Sequence, residues 1–206
     1  MLPRSNRSPI VCRNVIAIEG ANGARFIEEM LRHLGLSDAV EVRDFGGVSE
    51  LRDFLDVLVI TPGFTDVHAI AILRDAESSA SSAFTSVRDS LHAVSLTAPE
   101  HPGSYASGKP RVGVFIFPDG TNPGMLETLC LAAVHDDPAI PCVFQYFKCV
   151  EKAGIPRPAN IDKAYVHAFL ASRPRPHLSL VQATLAGYWP WDAPAFQQLM
   201  QFLRAL

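Results

Sequence analysis

Residues 67–77 read V-H-A-I-A-I-L-R-D-A-E, and no other stretch limits the fold of this chain as strongly. Largely apolar residues, rich in Val and Ile, run directly into two carboxylates, Asp75 and Glu77. A short apolar run without alternation is the pattern of a strand buried on both faces of a parallel sheet. In such sheets the loops at the carboxyl ends of the strands hold the ligands. Carboxylates placed there must be solvated, paired or bound to a cation. The expectation is a hard divalent metal.

The rest of the chain supplies the other strands. Residues 15–18 read as a buried strand ending in Glu19 and Gly20. After Gly23, Phe26, Ile27, Met30, Leu31 and Leu34 recur at helical spacing up to Gly35. Residues 40–44 form a second strand, stopped by Gly46 and Gly47, a pair that needs positive φ or a close approach of backbone to something else. The serines at 78–82 can cap a helix carrying Phe84, Val87, Leu91 and Val94 on one side. Residues 97–110 are Pro/Gly-rich without period and read as a long surface loop. Residues 112–117 (V-G-V-F-I-F) are the last buried strand, ending in Pro118-Asp119-Gly120. Gly124 then introduces a helix over 125–134, with Glu127 in its first turn, and beyond Pro138 every segment reads as helical.

None of the sixteen prolines falls inside a strand drawn in this way, which supports the segmentation. Strand–helix alternation implies right-handed βαβ units. The expected fold is α/β and Rossmann-like: a mostly parallel sheet of about four strands flanked by helices. One domain is expected over residues 1–206, with an α/β core over 12–136 and a helical extension over 137–206 packed on it.

At 206 residues the chain can bury a sizeable core without staples. No apolar run approaches the roughly 18–20 residues that span a bilayer. Residues 1–9 carry Arg4 and Arg7 with no apolar segment behind them, so a cytoplasmic location and no membrane partner are expected. Cys12, Cys130, Cys142 and Cys149 show no C-x-x-C pairing and read as small buried hydrophobes. The net charge of −3 and the modest clusters Arg4/Arg7/Arg13, Lys109/Arg111 and Arg173/Arg175 advertise no nucleic acid. Bound metal ions could still neutralise phosphates locally.

Glu19, the pair Asp75 and Glu77, and Asp119 follow three separate apolar strands, which in a parallel sheet puts all four on one edge. Crowded carboxylates raise one another's pKa unless a cation is present. Mg²⁺ takes oxygen ligands and commonly uses one or two carboxylates plus water and substrate phosphate. Glu127 is a fifth candidate, although a Glu in a first helical turn also serves the helix dipole. Asp119 likewise has a second reading as a turn former in P-D-G. The E-G-A-N-G turn at Glu19 precedes a helix, whose N-terminus can bind phosphate, but it lacks G-x-G-x-x-G and the Walker lysine. His68 reads as a satisfied core histidine. Tyr188, Trp189 and Trp191 read as core or interface rather than as a stacking platform for bases. Arg173 and Arg175 fit either phosphate contacts or a stiff solvated connector.

The order strand–Glu-Gly, strand–Gly-Gly, strand–Asp-x-acid resembles the TOPRIM fold of type IA topoisomerases, bacterial primases and OLD-family nucleases. The whole chain looks like a group of small stand-alone TOPRIM-like bacterial proteins of unknown function. The segments I-E-G at Ile18, D-F-G-G at Asp44, L-R-D-A-E at Leu73, F-P-D-G-x-x-P-G-x-L-E at Phe117 and G-Y-W-P-W-D-A-P-A-F at Gly187 carry the resemblance. It implies that Glu19 is a general acid/base or metal ligand and that Asp75 and Glu77 form a metal pair; Asp119 and Glu127 remain further candidate ligands from their placement alone. It implies Mg²⁺ (or Mn²⁺), one or two ions, and DNA or RNA as substrate, approached by Gly20, Gly46, Gly47 and Arg74. The chain departs from the pattern at Glu77, where Asp is usual, and after Gly20, where Ala21-Asn22 replace a common Lys. Arg74 could partly replace that Lys, or be a strand-end residue turned to solvent.

Three readings follow. The first is a metal-dependent phosphodiester-handling enzyme of nuclease type. The second is a catalytically silent module that binds metal or nucleotide, or regulates a protein partner or second copy. The third is a structural domain with a solvated acidic rim.

Overall fold

In the computed structural model, which describes residues 8–206, four parallel strands carry the molecule: β1 (Asn14–Glu19), β2 (Val40–Gly46), β3 (Ala69–Asp75) and β5 (Arg111–Phe117). Arg4 and Arg7 lie outside the described residues. The fold is α/β with a mostly parallel sheet flanked by helices, as expected. The strand order is β2-β1-β3-β5-β4, where β4 (Ser104–Ala106) is a short antiparallel edge strand. It lies inside the segment read as a surface loop. Three residues between Pro/Gly turns are too few to show a period of two, so pairing with β5 rather than local pattern makes this strand.

β3 occupies the middle, paired with β1 and β5, and its residues Ala69 to Arg74 are all buried. Burial on both faces explains the unbroken apolar run, since each fully buried Val, Leu or Ile contributes roughly 1.5–3 kcal/mol. Alternation along the strands separates two cores. Ile16, Ile18, Ala71 and Leu73 face one core with α1 (Ala21–Leu34) and α4 (Leu126–Ala133). Val15, Ala17, Ile70 and Ile72 face the other with α2 (Leu51–Leu58) and α3 (Ala80–Ala93). Ser79 caps α3 by accepting a hydrogen bond from the Ser82 backbone N–H, the role read for these serines.

The C-terminal helices α5 (Ala139–Lys152), α6 (Ile161–Ala171), α7 (Leu180–Leu185) and α8 (Gln197–Arg204) join the first core. Trp189 is buried there, and its Nε1 donates to Thr184 Oγ1 at 2.9 Å. Trp191 meets the Phe26 ring edge-on at 5.3 Å and the Phe196 ring at 5.4 Å. This aromatic cluster is core, as read.

Three expectations fail locally. Only Cys130 is buried. Cys142 and Cys149 are exposed, because α5 buries only Ile140 and Val143 and turns its other sides outward. His68 is exposed just ahead of β3 and is not a core residue. Arg173 is no free connector: it grips Asp137 through two hydrogen bonds of 2.9 and 3.1 Å and lies over the Phe169 ring. Among the described residues no helix is long and apolar enough to cross a membrane.

Candidate functional site

β1 and β3 end side by side, with Ile18 opposite Leu73, so Glu19 and Arg74 stand level on neighbouring strands and on the same face. Asp75, one residue on, belongs by alternation to the other face. A cleft of about 320 Å³ opens over this strand end and is lined by Glu19, Asp75, Glu77, Glu127 and Lys163, together with the turn from Gly20 to Gly23 and Gly46. The sheet therefore delivers its carboxylates from both faces into one opening.

Backbone geometry shapes the floor. Gly20 has φ 80° and lets β1 turn directly into α1, which starts at Ala21 rather than after Gly23. The first-turn N–H groups of a helix have no intrahelical partner, so this lining offers donors to an anion. Asp44 Oδ1 accepts from the backbone N–H of Gly20 at 2.8 Å and of Gly46 at 2.7 Å, tying the ends of β1 and β2 together. Gly46 has φ 89°, and a Cβ there would collide with the Glu50 carboxylate. Gly47 does not line the cleft; it opens a short 3₁₀ turn with extended backbone.

The carboxylates differ in environment. Asp75 Oδ1 accepts from the Leu126 N–H at the start of α4, at 3.0 Å. Even so, burial, reinforced by Glu19 and Glu127, pushes its pKa from 3.8 up to about 7. Burial also raises Glu19, against the opposing pull of Arg74, and Glu77 adds to the rise. Glu19 Oε2 is buried with no hydrogen-bond partner. Glu77 is exposed at φ 52°, a left-handed backbone held by two hydrogen bonds with Gly124, of 2.9 and 2.8 Å. Glu127 sits in the first turn of α4, where its charge also suits the dipole.

Asp119 does not line the cleft. Burial raises its pKa, but hydrogen bonds from the side chain and backbone of Asn122 and from Thr121 outweigh that and hold it at about 2. Its oxygens are spent on its own turn, the second of the two readings above. Arg74 departs from both of its readings: it is neither turned to solvent nor open to a substrate. Only 7% exposed, it lies under α3, with Nε 3.9 Å from Glu19 Oε2.

Two contributors escaped the sequence reading. Lys163 reaches the cleft from α6, more than forty residues past the last strand. The signal was there, since Lys163 follows the Asn160 cap by three residues, and a cation in a first helical turn opposes the dipole. Asp44 lies in the quoted D-F-G-G segment but received no role.

Four carboxylates with a raised Asp75 and an orphaned Glu19 oxygen form a hard oxygen donor set, which suits a divalent cation. Among the described residues, however, no group of three or more His, Cys, Asp or Glu is close-set enough to cage an ion. An ion here would be held by at most two protein side chains, Glu19 and Asp75 being the most buried, with water or substrate oxygens completing its shell. That suits Mg²⁺, which keeps several waters.

Among solved structures, the chain is similar to the C-terminal region of the Xanthomonas campestris pv. campestris OLD protein, at 14% identity and TM-score 0.49, over 95% of this chain and 96% of that one. It is also similar to the C-terminal region of the Burkholderia pseudomallei OLD protein, at 13% identity and TM-score 0.47, over 95% and 98%. No curated protein matches the sequence. The family model described as Protein of unknown function (DUF3226) matches residues 13–206, and the chain belongs to that family.

Proposed function

We propose that this chain is a TOPRIM-like, divalent-cation-dependent enzyme that handles phosphodiesters in DNA or RNA, in the manner of a nuclease. The observation that supports this best is the pairing in one cleft of opposite binding chemistries. Glu19, Asp75, Glu77 and Glu127 offer carboxylates, while Lys163 and the first turn of α1 offer positive charge and N–H donors. A cation site alone needs only the first set. A site for a metal-bridged phosphate needs both.

Glu19 and Asp75 would hold Mg²⁺ or Mn²⁺, which when bound polarises a phosphodiester and lowers the pKa of water. Lys163 and the α1 turn orient the phosphate. In the metal-free cleft burial holds Asp75 protonated up to about pH 7, so a cation that binds there would displace its proton. The test is cleavage of single- and double-stranded DNA and RNA with Mg²⁺ or Mn²⁺. The expected result is cation-dependent cleavage that disappears in Glu19→Gln and Asp75→Asn. No cleavage of any of these by the wild type, or cleavage that survives both substitutions, refutes the proposal.

Two observations favour a second reading, a silent metal- or nucleotide-binding module. Glu77 is exposed, and although four carboxylates line the cleft, no three acidic, His or Cys side chains among the described residues are close-set enough to hold one ion. That reading expects Mn²⁺ binding without turnover.

A further inference from the structure

Arg74 is the least conventional residue of the strand end. It is 7% exposed, its Nε has no hydrogen-bond partner, and its Nη1 reaches the Ala83 carbonyl only at 3.5 Å. A buried guanidinium requires a counter-charge. The ion pair it makes among the described residues is with Glu19 Oε2, at 3.9 Å, an oxygen that is itself unpartnered. Arg74 thus faces the cleft through Glu19 without lining it.

Its charge fixes the balance there. Glu19, Asp75, Glu77 and Glu127 contribute four negative charges when ionised, against Lys163 in the lining and Arg74 behind Glu19. The sum is −2, the charge that one divalent ion cancels. A second ion would leave a surplus of +2 in a partly desolvated cleft, where charge interactions are several-fold stronger than in bulk water. An incoming phosphodiester adds one negative charge, which the N–H donors of the α1 turn can meet without a second metal.

We propose that the cleft takes a single divalent cation, and that Arg74, behind Glu19, is a fixed positive charge that stands in for the charge a second ion would bring. This rests on the cation-dependent reading above and deepens it by setting the ion count. Arg74 is then a positioning residue. It keeps Glu19 between two cations, one built into the fold and one acquired from solution.

The test is Mn²⁺ titration of the full chain near pH 7.5, followed by calorimetry and by the electron paramagnetic resonance of free Mn²⁺. The wild type is expected to take up one ion. Arg74→Gln, folded as judged by circular dichroism, is expected to take up a second ion or to bind the first about tenfold more tightly, because one repelling unit charge is gone. Arg74→Lys keeps the charge and should behave as the wild type. Two ions in the wild type or in Arg74→Lys overturn the inference but leave cation dependence standing, as does a folded Arg74→Gln with wild-type stoichiometry and affinity. If Arg74→Gln does not fold, the counts in the wild type and Arg74→Lys decide. A wild type that takes up no Mn²⁺ at millimolar concentration overturns this inference and the proposed function together.

Discussion

Asp75→Asn should stabilise the metal-free protein at alkaline pH, although it removes a central side chain of the cleft. Asp75 has a folded-state pKa of about 7 against 3.8 unfolded. Between those values the unfolded chain releases the proton while the folded chain retains it, so stability falls as pH rises. Above pH 7 the full penalty is present, and below 3.8 it is absent. A rise of about three pKa units corresponds to roughly 4 kcal/mol, and solvent reaching the cleft reduces this to about 2 kcal/mol. Asn cannot ionise, yet its Oδ1 can still accept from the Leu126 N–H that Asp75 engages. In EDTA, the melting temperature of Asp75→Asn relative to wild type should therefore rise by roughly 4–8 °C between pH 4 and pH 8. Millimolar Mn²⁺ should reverse the order at pH 8, because a ligand that binds only the folded state stabilises it. A difference that is flat with pH in EDTA, or that runs the other way, refutes the reasoning: Asp75 would then be an ionised cap that benefits α4.

Asp119 carries the opposite sign. With its folded pKa near 2, the stability it contributes is present above 3.8 and is lost as pH falls toward 2; Asp119→Ala should cost about 1–2 kcal/mol at pH 6 in urea melts and almost nothing near pH 2. Gly46→Ala forces a side chain into φ 89° and against Glu50, so it should lose roughly 1–2 kcal/mol or more; the double change with Glu50→Ala should recover the clash but not the backbone strain, as thermal melts can separate. Lys163→Met should weaken binding of a nucleic-acid substrate by about tenfold at low salt and by less at high salt, seen as a shallower salt dependence in fluorescence anisotropy. Thr184→Val leaves the buried Trp189 Nε1–H without its acceptor and should cost roughly 1–3 kcal/mol in urea melts.

The parallel core was legible because burial on both faces writes itself into composition. An unbroken apolar β3 can sit only in the middle of a covered sheet, and the helices between the strands follow from their 3.6-residue spacing. Elements whose existence depends on distant partners were not legible. β4 is three residues long and is strand only because β5 lies beside it. Tyr105, in its middle, packs where Gly113 has no side chain and stacks on Phe202 at 4.7 Å, contacts that no local pattern announces. Arg74 was misread for a similar reason. A charged residue at the end of an apolar run looks like the point where a strand meets water, and only the placement of α3 over that face shows otherwise. Asp119 illustrates the converse: the P-D-G turn and the acidic rim were both readable, and the hydrogen bonds of Thr121 and Asn122 decide between them.

The arrangement of the cleft bears on how much of the chain its chemistry needs. A strand alternates its side chains, so Glu19 and Asp75, at the ends of neighbouring parallel strands and one register position apart, start from opposite faces of the sheet. They share an opening beyond the last residues that the two strands pair, where the first turn of α1 and the start of α4 line the edge. The Asp75 side is completed by the start of α4, and α6 supplies Lys163. The Glu19 side is closed by Arg74 and, behind it, the Ala83 carbonyl of α3. The short Thr128–Asp162 contact joins α4 to α6 next to the cleft, so the position of Lys163 is coupled to the helix that caps Asp75. The C-terminal helices are thus part of the site's construction. A truncation that spares every strand but removes α6 takes away both the positive charge of the cleft and the brace on α4.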